Sequence, residues 1–302
     1  MITSAQKFRN STNMLILKRV KDLQQIIADS KKKGQTIGFV PTMGALHQGH
    51  LSLIKRSKKG TDLTLCSIFV NPTQFNDKED LIKYPRTTEA DIRLLSSTDC
   101  DILFIPEVEE VYPKGLSTEL ELNFAQMAEV MEGEFRPGHF DGMAQVVNRL
   151  LDIVLPHELF MGQKDFQQMS IVRSMLLQLN RPIKLVSCPI IREEHGLAMS
   201  SRNRRLSDKI RADAAIIFQT LKWLKSEVTD SQQLDGLKAK AMSKLSIEPF
   251  KAEYVEICDG ETLQPIESTK GHEFIVCCLA VWVEGVRLID NMVLRGDHLL
   301  NE

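Results

Sequence analysis

Strand-like and helix-like segments alternate along most of this chain, and that alternation restricts its fold more than any other feature. Short apolar runs are separated by stretches whose apolar residues recur with helical spacing. The strand-like segments cover residues 36–40, 63–70, 101–105, 157–161 and 183–191, and the helical ones cover 20–27, 51–59, 88–97, 144–155 and 167–179. Because strands that take turns with helices usually lie parallel, the pattern predicts an α/β fold with a parallel sheet.

The alternation ends near residue 191. Two long helical segments, 208–228 and 234–245, are followed by strand-like runs at 253–258, 273–283 and 286–294 that have no helices between them. This order predicts a smaller α+β domain with an antiparallel sheet. We therefore expect a first domain at 14–191 and a second at 192–302. Residues 1–13 are polar and patternless, and we expect them to form a flexible arm or to reflect a surplus translational start.

Charge and cysteine content narrow the class of function. The 302 residues include 38 Lys and Arg against 40 Asp and Glu, without a long run of either sign, so we expect no nucleic-acid partner and no membrane surface. Small-molecule chemistry is favoured. The six cysteines show no C-x-x-C spacing and lie mostly in apolar runs, which is typical of buried, reduced thiols. No signal-peptide pattern and no membrane-spanning window is evident, so we expect a soluble cytoplasmic protein.

The first chemical motif, P-T-M-G-A-L-H-Q-G-H, occupies residues 41–50 between the first clear strand and the next helix. Free backbone N–H groups at such a junction attract phosphate. Gly44 and Gly49 let the backbone approach a nucleotide closely, while His47 and His50 share one side of the opening turn and can donate to phosphate. An arbitrary pair at this spacing would be surface or capping histidines, but the glycines and the setting favour nucleotide binding.

The second motif, F-V-N-P-T-Q-F at residues 69–75, ends the next strand and should open on the same crevice. Asn71 and Gln74 are neutral hydrogen-bonding groups, which suit a hydroxylated carboxylic acid. An uncharged amide holds such an acid without an ion pair that would weaken it as a nucleophile. A simple Asn-Pro turn with a solvated Gln explains the motif equally well.

The third motif, G-Q-K-D-F-Q-Q at residues 162–168, again lies after a strand and before a helix. Lys164 can place a point charge on phosphate. Asp165 can accept from ribose hydroxyls or merely cap the helix, and both options stay open. Gln168 lies one turn beyond Lys164 on the same helix face.

The fourth motif, G-L-A-M-S-S-R-N at residues 196–203, lies just past the expected domain boundary. Two hydroxyls beside the forked guanidinium of Arg202 can bind a triphosphate, and a loop at this place could close over it. Most Ser/Arg/Asn clusters of this size are polar interdomain linkers, which is the alternative.

These motifs together carry a family resemblance. H-x-G-H in this setting resembles the nucleotide-binding signature of nucleotidyltransferases and class I aminoacyl-tRNA synthetases. With I-F-V-N-P-T-Q-F, Y-P-R-T, R-P-G-H-F, G-Q-K-D-F-Q-Q and M-S-S-R-N, the chain resembles the pantothenate synthetase (pantoate–β-alanine ligase) family from about Met14 to Leu294. The resemblance implies a Rossmann-like, doubly wound first domain that binds nucleotide and pantoate, a smaller C-terminal lid domain, a homodimer, and ATP with Mg2+.

The resemblance also implies roles for individual residues. ATP binding is assigned to Met43, Gly44, Ala45, Leu46, His47, Gln48, Gly49, His50, Gly162, Gln163, Lys164, Asp165, Ile191, Met199, Ser200, Ser201 and Arg202. Within that set the catalytic candidates are His47, His50, Lys164, Ser200, Ser201 and Arg202. Gln74 and Gln168 match pantoate-binding positions, to which the second motif adds Asn71; Gln74 also lies near the β-alanine site, and Asp91 is a candidate for assisting magnesium.

Three positions depart from the family pattern. Asp141 and Met143 stand where many members carry a basic residue and a Val, and Gln163 replaces a frequent Glu. None of the three removes a group that the chemistry needs. They bear on kinetics and surface details, not on the type of reaction.

The implied reaction has two steps. Pantoate attacks the α-phosphate of ATP to give pantoyl adenylate, and β-alanine then attacks the activated carbonyl and releases AMP. Two alternatives differ in class. A nucleotidyltransferase acting on a phosphorylated substrate should offer more cations than the neutral Gln74 and Gln168. A tRNA-binding module derived from a synthetase needs a basic face, which the net charge of −2 disfavours.

Overall fold

The parallel sheet predicted from the alternation is present, with six strands. The computed structural model describes residues 14–75, 81–82, 84–115 and 122–296, so the predicted arm at 1–13 lies outside the described residues. The strands of this sheet are β1 Leu15–Leu17, β2 Ile37–Thr42, β3 Leu63–Ile68, β4 Ile102–Phe104, β5 Glu158–Gly162 and β6 Lys184–Cys188. All their pairings are parallel, and their order across the sheet is β1-β4-β3-β2-β5-β6.

Helices cover both faces of this sheet. Those of the first domain whose bounds the structure describes are α1 Val20–Lys32, α2 Gln48–Gly60, α3 Thr88–Ser96, α4 Val108–Val111, α5 Glu132–Phe135, α6 His139–Val154 and α7 Phe166–Gln178. Alternate strand residues feed two cores, because successive side chains of a strand point to opposite faces. Phe39 and Leu159 pack with α1, α6 and α7, whereas Val40 and Phe160 pack with α2 and α3.

The strand order reverses between β2 and β5, which lie side by side at the centre of the sheet. From β2 the chain moves outward through β3 and β4, and from β5 it moves the other way to β6. In open α/β sheets, ligands bind beyond the carboxyl ends of the strands at such a switch point. The loops that follow β2 and β5 carry the first and third motifs, so both motifs lie at this switch point.

Three local features differ from the sequence prediction. The first predicted strand, 36–40, extends further in β2: Pro41 stays in register with Ser67 of β3, and the backbone carbonyl of Thr42 still accepts from Phe69 N–H at 3.0 Å. A proline removes only its own N–H from the ladder. The edge strand β1 was not predicted. The helix predicted at 208–228 is two helices, α8 Asp208–Asp213 and α9 Ala215–Glu227, which meet at Ala214.

The antiparallel sheet predicted for the second domain is confirmed. Its strands are β7 Lys251–Asp259, β8 Ile275–Val283 and β9 Val286–Arg295, in the order β7-β8-β9. Helices α9 and α10 Asp235–Leu245 pack on it around Leu221, Leu224 and Leu279, which form a core with no contribution from the parallel sheet. The boundary near residue 191 stays a prediction, supported by this separate core and by the end of β6 at Cys188.

The cysteines and helix lengths bear on two further expectations. All six cysteines are described, and each is buried with a free thiol. Among the residues that the structure describes, no helix is long and apolar enough to cross a bilayer. The described residues also include short 3-10 helices at Pro72–Gln74, Ala125–Ala128, Gln163–Asp165 and Ser201–Arg205.

Buried ionic contacts join helix α5 of the first domain to the antiparallel sheet of the second. Arg287 of β9 donates to Glu132 of α5 at 2.7 Å and to Glu253 of β7 at 2.7 Å. Tyr254 of β7 donates its hydroxyl proton to Glu132 at 2.9 Å. Burial raises the pKa of Glu132, but the hydrogen bond and charge of Arg287 outweigh it and lower that pKa overall. Glu132 is therefore ionised at neutral pH and depends on Arg287 for its compensation.

We expect Arg287→Met to lower the free energy of unfolding by about 3–5 kcal/mol, because it leaves the buried Glu132 carboxylate without a counter-charge. Since the pKa of Glu132 is lowered by folding, its contribution is present above the ordinary Glu pKa and is lost as the pH falls through the lowered value. Urea unfolding at neutral and acidic pH measures both effects. Arg19→Met, which removes an exposed pair with Asp22, is the control and should change little. Equal stability of Arg287→Met and wild type would contradict this account.

Candidate active site

One carboxylate, on helix α3, fixes the loop after β2 by hydrogen bonds to its backbone. Gly44 and Ala45 both have positive φ, +83° and +50°, so the chain turns sharply and leaves two backbone N–H groups outside any helix or strand ladder. Asp91 of α3 accepts both, from Ala45 N at 2.9 Å and from Leu46 N at 2.8 Å. A Cβ on Gly44 would lie 3.1 Å from that carboxylate and equally close to Ile68. The turn therefore needs both Gly44 and Asp91.

His47 and His50 cap α2 reciprocally. His47 is the N-cap residue, and its Nδ1 accepts from Gly49 N at 3.1 Å. Nδ1 of His50 accepts from His47 N at 3.2 Å, which completes a capping box. A Cβ on Gly49 would lie 2.8 Å from the His47 ring, so glycine is required there. The predicted alternative, that these are capping histidines, is thus true, but capping uses only one nitrogen of each ring.

The capping bonds also fix the proton on each ring. Because both Nδ1 atoms accept, each neutral imidazole carries its proton on Nε2. Burial lowers the pKa of His47 to about 4, with a further contribution from Lys164, and burial with the neighbouring His47 lowers the pKa of His50 to about 3. The two rings, with centroids 4.1 Å apart, therefore offer two uncharged N–H donors at neutral pH.

The third motif forms the opposite wall. Lys164 and Asp165 lie in the 3-10 helix that follows β5, with Lys164 Nζ 3.3 Å from Asp165 Oδ1. Asp165 is half exposed, and although desolvation within the crevice opposes its ionisation, the charges of Lys164 and Arg202 lower its pKa, so it is ionised. Asn291 of β9 donates to the backbone carbonyls of Gln163 and Lys164, each at 2.9 Å. The second domain thus positions the lysine.

The two amides of the second motif have different positions. Gln74 lines the crevice, with its Nε2 2.9 Å from the Met43 sulfur. Asn71 does not line it: this buried side chain donates to Gly142 O at 3.1 Å and accepts from the Tyr112 hydroxyl at 3.1 Å. Its Nδ2 also lies 3.4 Å from Gln74 Oε1. Asn71 thus builds the turn and contacts Gln74, and its direct contact with pantoate stays a prediction.

Only some residues of the fourth motif line the crevice. Met199, Ser200 and Arg202 line the crevice, whereas Ser201 does not. Ser200 also caps the 3-10 helix, because its hydroxyl accepts from Arg202 N at 3.3 Å. Arg202 lines in addition a second cavity between the two domains.

Most of the predicted residues converge on one crevice of about 250 Å3 at the switch point. Those that line it are Met43, His47, Gly49, His50, Gln74, Gly162, Lys164, Asp165, Gln168, Ile191, Met199, Ser200 and Arg202. Those that do not are Gly44, Ala45, Leu46, Gln48, Asn71, Asp91, Gln163 and Ser201. Tyr84, Arg136 and His139 also line the crevice, although no role had been predicted for them. Their signal was the segments Y-P-R-T and R-P-G-H-F.

The three residues that depart from the family pattern lie in different environments. Met143 is buried and contributes to the apolar wall of the crevice. Asp141 is exposed on α6. Gln163 points toward the second domain, where its Nε2 donates to Asn291 Oδ1 at 3.3 Å.

Comparison with known proteins agrees with this geometry. The family model described as pantoate-beta-alanine ligase matches residues 15–293. The chain belongs to the pantoate–β-alanine ligase family. Pantothenate synthetases of Bacteroides fragilis and Bacteroides thetaiotaomicron are 44% and 46% identical to it over 279 and 282 residues, which is 92% of this chain and 98% of each relative.

Solved structures of the family have the same fold. A pantothenate synthetase from Thermus thermophilus is 35% identical, with a TM-score of 0.82 over 93% of this chain and 100% of that one. The pantoate–β-alanine ligase of Francisella tularensis, 37% identical with a TM-score of 0.74 over 93% of this chain and 98% of that one, was solved with β,γ-ATP and β-alanine. As a pantoate–β-alanine ligase, the chain is an ATP-dependent carbon–nitrogen ligase.

The surroundings of Asp91 bear on its predicted assistance to magnesium. Among the described residues, no three His, Cys, Asp or Glu side chains are grouped so that they could hold a metal ion. Both oxygens of Asp91 already accept backbone N–H groups, and the Thr87 hydroxyl lies 3.2 Å from one of them. The geometry makes Asp91 a positioning residue for the loop, and its assistance to magnesium stays a prediction.

We expect Asp91→Asn to weaken ATP binding by roughly tenfold or more, because an amide nitrogen cannot accept from Ala45 or Leu46 and a buried N–H without a partner costs about 1–3 kcal/mol. Steady-state kinetics at several magnesium concentrations would measure it. The KM for ATP should rise while the dependence on magnesium stays that of the wild type. A shifted magnesium dependence would instead place a metal contact on this carboxylate.

Proposed function

We propose that this ligase condenses pantoate with β-alanine in two steps, through pantoyl adenylate held in the crevice. The observation that carries the proposal is the convergence, at one switch point, of two neutral N–H donors (His47 and His50), a lysine cation (Lys164) and two neutral amides (Gln74 and Gln168). Cationic and dipolar donors suit transfer of a phosphoryl-centred group, and neutral amides suit an acid that must remain nucleophilic.

In the first step the pantoate carboxylate attacks the α-phosphate of ATP. Negative charge grows on the phosphate oxygens and on the departing pyrophosphate, so fixed donors aimed at those oxygens lower the barrier. The Nε2–H groups of His47 and His50 serve as uncharged donors, while Lys164 and Arg202 supply charge. Ser200 adds a hydroxyl donor from the loop over the phosphates, and the same role is proposed for Ser201 once that loop closes.

The neutral amides hold the acid substrate. We propose that Gln74 and Gln168, which face the crevice from a 3-10 helix and from α7, bind the hydroxyl and carboxyl groups of pantoate. An amide donates without forming an ion pair, so the carboxylate keeps its nucleophilicity. The apolar wall formed by Met143, Val146 and Val147 suits the branched carbon skeleton.

Magnesium, assembly and location complete the proposal. Magnesium is proposed to enter with ATP, whose phosphates supply most of the ligands that this ion prefers. A homodimer follows from the family resemblance alone. A cytoplasmic location is supported by six buried, free thiols, which fit a reducing compartment.

We expect ATP and pantoate without β-alanine to give one burst of pyrophosphate about equal to the number of active sites. Each site makes one anhydride, and a closed loop excludes the water that would hydrolyse it. A rapid-quench time course with labelled ATP measures this. The double variant Ser200→Ala/Arg202→Ala should slow or shrink the burst, since contacts to pyrophosphate are lost while the amides for pantoate remain. Pyrophosphate that appears only with β-alanine, without trapped adenylate, would contradict the two-step route.

We expect His50→Asn to lose roughly a hundredfold or more in the rate of the burst, the usual effect of removing one transition-state donor. Asparagine can still accept from His47 N near the position of Nδ1, so the helix cap and the fold should survive. His272→Asn is the matched control, because this half-buried ring of the second domain pairs with Asp259 and does not line the crevice. Thermal unfolding checks both variants, and a normal burst in folded His50→Asn would falsify the donor role.

A further inference from the structure

His139 stands where the crevice meets a second cavity. It is the first residue of α6, follows Gly138 at φ +77°, and is 5% exposed. It lines both the crevice and a cavity of about 450 Å3 between the two domains. A substrate that reaches the crevice from the interdomain side passes this ring.

The ring of His139 has the opposite tautomer from the two phosphate-facing histidines. Its Nδ1 lies 2.8 Å from the backbone carbonyl of Gln74. A carbonyl oxygen can only accept, so Nδ1 carries the proton and Nε2 has a lone pair. No hydrogen bond engages Nε2 within the described ranges of the chain. Of the three histidines that line the crevice, two offer donors and only His139 offers an acceptor.

The charges around the ring keep that lone pair unprotonated at neutral pH. Burial, and after it the charge of Arg136, lowers the pKa of His139 to about 4, against the opposing effects of the Gln74 carbonyl, Glu132 and Asp165. Glu132 is paired with Arg287 and Asp165 with Lys164, so neither carboxylate is the better acceptor. The phosphate of the adenylate and the carboxylate of β-alanine add negative charge, which raises the basicity of the ring in the loaded site.

A proton acceptor at this place answers a chemical need of the second step. β-Alanine is an ammonium ion at neutral pH, and its nitrogen has no lone pair until a proton leaves. The acid half of the adenylate is held, on the proposed function, by Gln74, whose own backbone carbonyl orients His139. The acceptor therefore lies beside the group that holds the carbon that the amine must attack.

We propose that His139 is the general base of amide formation, a role that rests on the proposed two-step function. One proton passes from the β-alanine ammonium to Nε2 of His139. The freed lone pair then attacks the carbonyl carbon of the anhydride, forming the C–N bond. The C–O bond to phosphate breaks, and its electron pair leaves on AMP. Nε2 returns its proton to solvent through the interdomain cavity, and the second proton of the attacking nitrogen leaves by the same path.

The test is His139→Asn, because the asparagine amide can replace Nδ1 in donating to Gln74 while the acceptor at Nε2 is removed. The pyrophosphate burst with ATP and pantoate should match the wild type. The chase of the trapped adenylate with β-alanine should slow roughly a hundredfold to ten-thousandfold, the usual range for loss of a general base. This chase should also quicken as pH rises, since the variant uses only amine that is already deprotonated. His272→Asn is again the control.

Hydroxylamine separates a base from a structural ring. It is largely unprotonated at neutral pH, so wild type and His139→Asn should convert the adenylate to the hydroxamate at similar rates. An equal loss with both nucleophiles, or a burst that falls with the chase, would overturn the proposal and leave His139 only the task of holding Gln74. If the wild type gives no burst, the two-step route fails, and the steady-state ratio of β-alanine to hydroxylamine rates in each protein still decides the role of His139.

Discussion

The site depends on a single buried carboxylate beneath the loop after β2. Ala45 and Leu46 present N–H groups that neither the strand nor the helix can use, and an unpaired buried N–H is costly. Asp91, carried by α3, accepts both. That contact sets the entry angle of α2, so it also sets the direction of His47 and His50. Asp91 thus positions the two histidines of the crevice although it does not line the crevice itself.

The reciprocal cap adds a second constraint. An ordinary capping box uses a short hydroxyl and a carboxylate, whereas here two imidazoles take those places and each keeps one nitrogen for a ligand. Burial removes their charge. Cationic histidines would bind ATP in its ground state as strongly as in the transition state, which lowers KM without raising kcat. Neutral donors that backbone hydrogen bonds hold rigidly instead favour the transition state, in which negative charge has shifted onto the phosphate oxygens.

Periodicity predicted the sheet, and motif position predicted a crevice at the carboxyl ends of its strands, because these features follow from local alternation and from one topological rule. The family resemblance supplied several of the residues that line this crevice. Contacts across long sequence separations could not be predicted. Asn71 was expected in the crevice, yet it bonds Gly142, seventy-one residues away. The pairing of Asp91 with the loop, and the tautomer of His139, depend on which backbone group each side chain meets in the folded chain, and no local pattern records that.

The contact of Asn291 with the third motif has a consequence for inheritance and engineering. Its amide spans 128 and 127 positions of sequence to reach the backbone carbonyls of Gln163 and Lys164, so the second domain also holds the segment that carries the lysine of the third motif. A chimera of two relatives joined near residue 191 would therefore need a β9 strand whose side chain can still bond the loop after β5. We therefore expect the two domains of this ligase to have evolved together. Chimeras should be tolerated only when the Asn291 amide still reaches the carbonyls of Gln163 and Lys164.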